Sequence, residues 1–294
     1  MRWPMLAEGL HKGMSTAETM VGEASVTERL LGAAATRDGR AALLGGPADV
    51  PGSGRGLSYP DLAIMLQRAA AGLAWRGVRP RDVVGVYVAD ALSHALACHA
   101  VRAAGAVPSP VAPGLAVPEM AGQLADCGAR LLITSCSLAA VGLAAADRSW
   151  VRQVISFGEA AGAMPFGSLL GLGSIRPAPV RPHELALLPY PRRADGTLGQ
   201  AAVTHLDMSA DLRRLAGSAG ITEHDVVLAA PPAGDGRAYT ALLDTALLRG
   251  ATIVSGAADG LAAAARQHHG TAVIAAFGTE IAASPPLKML AVDC

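Results

Sequence analysis

Hydrophobic and polar positions follow two alternating periods along the chain from residue 57 onward. A stripe at helical spacing follows Pro60, which can occupy the first turn of a helix, and it consists of Leu62, Leu66, Ala69 and Leu73. The continuous apolar run at 83–88 is instead typical of a strand buried on both faces of a sheet. The pattern therefore predicts a helix followed by a buried strand.

The same alternation continues to the end of the chain. Further helices are expected over 92–104, 118–128, 206–217, 238–249 and 258–268. Further strands are expected over 129–134, 184–190, 225–230, 250–254, 271–277 and 287–292, with a proline-limited extended stretch over 106–113. Strands that alternate with helices predict a doubly wound α/β fold, with mostly parallel sheets flanked by helices.

Breaks in this pattern suggest how the chain is divided. Residues 1–25 carry scattered charges without an apolar core and are expected to form a mobile tail. A first α/β portion is expected over 26–157, and a Gly/Pro-rich connection over 158–182. A second α/β portion, packed with the first, is expected over 183–294.

Composition and charge narrow the class of protein. Hydrophobic residues make up 51% of the 294 positions, which excludes a disordered chain. The formal net charge is zero, which argues against nucleic acid or a membrane as the main partner. No apolar run reaches the length of a membrane span, and a cytoplasmic location is expected. Heavy use of Ala, Gly and Arg favours a GC-rich, actinobacterial source.

The cysteines and histidines do not form a recognisable metal motif. The four cysteines, at positions 98, 127, 136 and 294, include no C-x-x-C pair. His268 and His269 are adjacent, so on a helix they would face different directions. We therefore expect no metal site and no cofactor, and interpret the cysteines as small apolar residues.

The order of several segments resembles the adenylate-forming enzyme superfamily, which includes acyl-CoA synthetases, coumarate-CoA-type ligases and adenylation domains. The resemblance is carried by the stretches at 57–88, 99–113, 124–134 and 221–254. It implies the fold of the N-terminal half of an acyl-CoA synthetase. The family's later nucleotide motifs and catalytic lysine would lie beyond Cys294, so the resemblance describes a truncated and degenerate half.

The phosphate loop that the resemblance implies is altered here. The family loop reads approximately Ser/Thr-Ser-Gly-Thr-Thr-Gly-x-Pro-Lys-Gly and is followed by Thr-His, which matches Thr204-His205 and places the loop on 191–200. Arg193 then stands at a glycine position, Ala194-Asp195 at the threonine pair and Gly199 at the lysine, while Gly196 is kept. Three lost donors, each contributing about 1–3 kcal/mol, predict loss of nucleotide binding.

Polar residues that follow two predicted strands mark the candidate site. Ligands of parallel α/β sheets bind beyond the carboxyl ends of the strands. The proposed ligand-binding residues are Tyr190, Arg192, Arg193, Asp195, Arg237 and Tyr239, and the proposed catalytic residues are Asp235 and His205. In the competing interpretation, these loops are solvated connections, Asp235 is a turn residue, and the tyrosines pack in the core.

These observations favour a pseudo-ligase, a non-adenylating relative that binds a small molecule or a partner protein, with a role in specialised metabolism. The alternative is an enzyme that uses the former acyl pocket for an ATP-independent cyclisation, acyl transfer or isomerisation. A homodimer or a hetero-complex is expected, because a half-length chain would leave apolar surface uncovered.

Overall fold

The computed structural model describes residues 24–37, 39–45, 56–232, 234–256, 261–276 and 287–292 and confirms the predicted α/β fold. The helices are α1 (Val26–Ala34), α2 (Tyr59–Trp75), α3 (Ala91–Ala103), α4 (Val117–Asp126), α5 (Ala139–Ala146), α6 (His205–Ser218), α7 (Arg237–Arg249) and α8 (Leu261–His268). The strands are β1 (Ala41–Leu44), β2 (Leu57–Ser58), β3 (Val83–Tyr87), β4 (Val107–Pro110), β5 (Leu131–Ser135), β6 (Gln153–Phe157), β7 (Met164–Pro165), β8 (Leu185–Leu187), β9 (Val203–Thr204), β10 (Val226–Ala229), β11 (Thr252–Ser255), β12 (Ala272–Ala276) and β13 (Lys288–Val292).

Two main sheets organise the described residues. One is entirely parallel and has the order β4-β3-β5-β6-β7. The other has the order β13-β12-β10-β11-β1-β2, and only the β1–β2 pair is antiparallel. The short strands β8 and β9 form an antiparallel pair, and β8 lies beside β4, since Leu188 N donates to Pro108 O at 3.0 Å.

Helices lie between the two main sheets and on their outer faces. All thirteen residues of α3 are buried, because this helix packs against β3 and β4 of one sheet and β11 of the other. Helices α4 and α5 pack with the outer face of the parallel sheet, and α8 packs on β10 of the mixed sheet. Alanine and glycine allow such close packing: a Cβ on Gly72 of α2 would lie 2.5 Å from Leu169 O.

Some elements were not predicted from the sequence. Helix α1 begins at the capping box of Ser25 and Glu28, although no helix was predicted there. Helix α5 is almost entirely alanine and aliphatic, so no polar positions mark its exposed face. Strands β1 and β6 were also missed, and β1 has only four residues. Most of the predicted tail, at 1–23, and the start of the predicted helix at 258–260 lie outside the described residues.

Strand β1 connects the two predicted portions of the chain. Strand β1 pairs with β11, at Leu43↔Ile253 and Leu44↔Val254, so residues of the first portion complete a sheet of the second. The predicted connection at 158–182 contains β7 and a short 3-10 helix at Phe166–Leu169. The division of the chain given above stays a prediction.

A buried polar network holds α7 against α3. The guanidinium of Arg102 donates to Asp244 at 2.8 Å, and His99 Nε2 lies 3.1 Å from the same carboxylate. One turn of α7 earlier, His94 Nε2 lies 2.8 Å from Thr240 Oγ1. These contacts fix the position of α7, whose first turn borders the candidate site.

Burial controls the charges in this network. Burial lowers the pKa of His94 to about 4, with nearby Asp244 opposing the shift. The pKa of Asp244 is lowered despite its burial, because Arg102 and His99 lie beside it. The network is therefore a neutral His94 beside an ionised Asp244–Arg102 pair.

Candidate functional site

The loop at 191–200 forms a tight hairpin in which several backbone N–H groups donate within the loop. Arg193 N donates to Thr197 O at 2.7 Å, and Gly196 N donates to Arg193 O at 2.9 Å. Gly196 takes the turn position with φ +82°, a conformation that favours glycine. At the base of the loop, Gly199 N donates to Pro191 O and Ala201 N donates to Pro189 O, at 3.2 and 3.0 Å.

The side chain of Arg193 covers Gly199. A Cβ built on Gly199 would lie 2.2–2.3 Å from the Arg193 guanidinium atoms Nε, Cζ and Nη2. Gly199 has no positive φ, so its backbone does not itself require glycine. The Arg193 side chain therefore occupies the space that a side chain at position 199 would need.

The remaining polar side chains of the hairpin bond to groups nearby. Asp195 Oδ1 accepts from the Thr197 backbone N–H at 2.9 Å and from the Thr197 hydroxyl at 2.7 Å. These bonds, led by the hydroxyl, lower the pKa of Asp195. Arg192 donates to Gly196 O at 2.6 Å and to Glu119 on α4 at 2.9 Å.

A cavity of about 880 Å³ lies beside this hairpin, between the end of β4, helix α6 and the first turns of α7. Much of its wall is apolar and comes from Pro110, Ala112, Leu115, Pro191, Leu198, Leu215, Ala219, Ala238, Ala241, Leu242, Met289 and Leu290. Gly236, at the start of α7, lies very close to Pro110 at the end of β4: a Cβ built on Gly236 would lie 2.5 Å from Pro110 Cβ. Gly236 also has φ +83°, so glycine suits this position for two reasons.

Charged side chains contribute to the same cavity. Its lining includes Arg192, Arg214 and Arg237, together with Asp211 and Asp235. Asp211 is shared by two arginines, at 2.9 Å from Arg237 and 3.3 Å from Arg214. Since a guanidinium has five N–H donors, both arginines keep donors for another acceptor. An apolar wall with guanidinium donors suits a molecule with an apolar body and an anionic end.

Tyr190 and Gln123 line this cavity and also a second one of about 780 Å³. The Tyr190 hydroxyl donates to Asp126 Oδ2 at 2.7 Å, and Gln200 donates to the same oxygen at 2.8 Å. Burial and then this bond to Asp126 raise the pKa of Tyr190 well above its usual value. Tyr190 therefore remains a neutral phenol whose hydrogen is already donated.

The structure brings together four of the predicted site residues and separates the others. Tyr190, Arg192, Asp235 and Arg237 line the first cavity, and Arg193 lines the second. Asp235 Oδ1 accepts from Arg237 N at 2.9 Å, so its carboxylate caps the start of α7 while bordering the cavity.

Asp195, His205 and Tyr239 line neither cavity. Asp195 stabilises the hairpin turn by accepting hydrogen bonds from Thr197. His205 begins α6 but is 6% exposed, and burial, followed by the charge of Arg102, lowers its pKa to about 4. Tyr239 is fully buried and its hydroxyl donates to Ala230 O at 2.6 Å.

The polar cavity residues Gln123, Asp211 and Arg214 were not found from the sequence. Asp211 and Arg214 lie on α6 among other polar residues, so no pattern distinguishes them. Gln123 lies between the apolar positions Met120 and Leu124 of α4, and a glutamine on that buried face was the available signal.

The described part of the chain contains no group of three or more His, Cys, Asp or Glu side chains placed to hold a metal ion. None of the helices described is long and apolar enough to cross a membrane.

The chain matches a known family of proteins. Residues 31–286 match the family described as AMP-binding enzyme, so the chain belongs to this family, and the resemblance found in the sequence is confirmed. Over 87 residues, the chain is 33% identical to an acetyl-coenzyme A synthetase of Xanthobacter autotrophicus, covering 30% of this chain and 13% of that protein.

Solved structures share the fold over most of this chain. The apo structure of MbtA from Mycobacterium smegmatis has a TM-score of 0.76 and 24% identity, covering 88% of this chain and 50% of that one. A long-chain-fatty-acid-CoA ligase from Archaeoglobus fulgidus has a TM-score of 0.75 and 20% identity, covering 86% and 51%. The chain thus spans about half the length of these two structures.

Proposed function

We propose that this chain is a non-adenylating member of the AMP-binding enzyme family that binds a small organic acid without ATP. The acid would occupy the 880 Å³ cavity, with its apolar body against the wall and its carboxylate toward the arginines. The observation that carries the non-adenylating part is the hairpin at 191–200. A loop that cradles phosphates presents free backbone N–H groups, whereas Arg193, Gly196 and Gly199 donate theirs within the loop.

The side chains of the loop support the same proposal. The lysine position is Gly199, and the Arg193 guanidinium lies over it. Asp195 places a carboxylate in the loop, where it would repel a phosphate. Each missing donor to a charged phosphate would cost about 1.5–3 kcal/mol in binding.

The arginines in the cavity lining support the proposal that the ligand is an acid. Arg237 is the arginine best placed to hold a carboxylate, since it belongs to the first turn of α7 and borders the cavity. Asp235 borders the cavity beside it and stays the candidate acid/base of the alternative, ATP-independent reaction. Turnover of a bound acid without ATP would favour that alternative. Self-association, predicted from the sequence, also stays a prediction.

Calorimetric titration tests the proposal with benzoate, 3-phenylpropanoate and octanoate, in the absence of nucleotide. We expect at least one acid to bind saturably, and Arg237→Ala to weaken it about tenfold or more, because a charge-assisted bond is lost. Arg249→Ala is the matched control, since Arg249 lies at the other end of α7 and donates to Ala216 O. The proposal fails if no acid binds up to millimolar concentration, or if the two variants behave alike.

A further inference from the structure

Gln123 on α4 is a buried polar side chain at the junction of the two cavities. It is 3% exposed, yet it lines both the 880 Å³ and the 780 Å³ cavity. Its amide nitrogen lies 3.2 Å from Ser109 Oγ and 2.9 Å from Pro110 O. These two contacts determine which end of the amide faces the protein.

Both partners of the amide can only accept its hydrogens. The Pro110 carbonyl has no hydrogen to donate. The Ser109 hydroxyl has one hydrogen, which it donates to Leu188 O at 2.8 Å. The NH₂ group of Gln123 must therefore face Ser109 and Pro110, which leaves the amide oxygen Oε1 as the remaining polar atom of this side chain.

The oxygen Oε1 has no hydrogen-bond donor among the residues described. Tyr190 shares both cavity linings, but its hydroxyl hydrogen is donated to Asp126 at 2.7 Å. An acceptor in the wall of a cavity that has no partner in the protein normally bonds to water or to a ligand. Because Gln123 borders an open cavity, a bound molecule can supply the missing donor.

We infer that Gln123 Oε1 accepts a hydrogen bond from the ligand, which therefore carries an alcohol, phenol or amine donor in addition to its acid group. This inference rests on the proposed function and narrows it from organic acids to hydroxy or amino acids. Gln123 is then a residue that determines specificity. A site that offers a fixed acceptor disfavours the analogue without a donor, because the acceptor is then left unpaired.

Matched ligands test this inference on the unaltered chain. The probes are 3-phenylpropanoate, its three ring-hydroxylated isomers, and the methyl ethers of those isomers, each titrated by calorimetry. We expect at least one hydroxylated isomer to bind about tenfold tighter than the parent acid, the effect of one hydrogen bond. The corresponding methyl ether, which has no donor, should bind no tighter than the parent acid.

A variant assigns the preference to Gln123. In Gln123→Met, the hydroxylated isomer and the parent acid should bind within about twofold of each other. Gln200→Met is the matched control and should keep the full preference, because Gln200 lines the second cavity alone. If Gln123→Met does not fold, the comparison of each hydroxylated isomer with its methyl ether still tests whether the site prefers a ligand with a donor.

The outcomes separate this inference from the proposed function. If acids bind through Arg237 but show no preference for a hydroxylated isomer, the role of Gln123 is overturned and the proposed function stands. A preference that survives in Gln123→Met would overturn the role of Gln123 as well. If none of the acids binds, the proposed function fails, and this inference fails with it.

Discussion

Replacing Asp244 with alanine should lower the free energy of unfolding by about 3–5 kcal/mol, as measured by urea denaturation at neutral pH. The side chains of Asp244 and Arg102 are 3% and 1% exposed and lie 2.8 Å apart. Removing the carboxylate leaves the Arg102 charge in the core without a counter-charge, and His99 loses the same partner. Water cannot replace the lost partner at a site this deeply buried.

A control and a double variant make this prediction specific. Asp211→Ala breaks the ion pairs of a half-buried carboxylate with the exposed arginines Arg214 and Arg237, and should cost less than about 1 kcal/mol. The double variant Arg102→Met/Asp244→Leu should be more stable than Asp244→Ala, because no charge is then left unpaired. Equal losses for Asp244→Ala and Asp211→Ala would contradict the account of the buried pair.

Acidification should destabilise the protein between about pH 6.5 and pH 4. The unfolded chain takes up a proton on His94 near pH 6.5, whereas burial keeps the folded His94 neutral down to about pH 4. The unfolded state therefore binds more protons in this window, and stability falls as the pH falls. The shift of roughly 2.5 pH units corresponds to about 3 kcal/mol from His94. Burial lowers the pKa of His205 and His99 as well, so both act in the same direction.

The pH dependence of His94→Gln isolates the contribution of His94. Glutamine can keep a hydrogen bond to Thr240 but does not titrate, so the slope of unfolding free energy against pH should be shallower by up to one proton. Urea denaturation at half-unit steps from pH 7 to pH 4 measures both slopes. Identical slopes, or a wild-type protein that gains stability at pH 4.5, would show that His94 does not stay neutral in the folded state.

Much of the fold could be predicted because its elements follow strong periodic patterns. The apolar run predicted at 83–88 became β3 (Val83–Tyr87), and the stripe from Leu62 to Leu73 lies within α2 (Tyr59–Trp75). Elements with weak patterns could not be predicted: α5 has no polar face to set its period, and β1 is short and completes a sheet through β11. That pairing joins residues 43 and 253, and local spacing carries no information about it.

The candidate site was predictable only in part, for a related reason. Arg192, Asp235 and Arg237 all line the first cavity, as expected, although the strands that precede them, β8 and β10, belong to different sheets. Gln123 and Asp211 reach the cavity from helices, and their contacts depend on tertiary packing. The buried pair of Arg102 and Asp244 joins residues 142 positions apart, so the sequence gives no indication of it.

Two loop residues that differ from the pattern implied by the resemblance fit together in the structure. The resemblance places Gly199 at the family's lysine position, and the missing side chain leaves room for the Arg193 guanidinium. The hairpin at 191–200 is then completed by its own backbone bonds and by the Asp195 carboxylate. On the proposed function, this segment keeps the strand, turn and helix of a phosphate loop while Arg193, Gly196 and Gly199 donate their N–H groups within the loop.

Titration with inorganic tripolyphosphate tests the central claim most directly, because this probe needs only the loop and neither adenine nor ribose contacts. The wild-type chain is compared with a variant that restores the family pattern, Arg193→Gly, Ala194→Thr, Asp195→Thr and Gly199→Lys. The account predicts no saturable binding by the wild type up to millimolar concentration. The restored variant should bind at least tenfold tighter, since three donors of about 1–3 kcal/mol each are returned. Saturable binding by the wild type, as tight as that of the restored variant, would contradict the claim that this loop no longer holds phosphate.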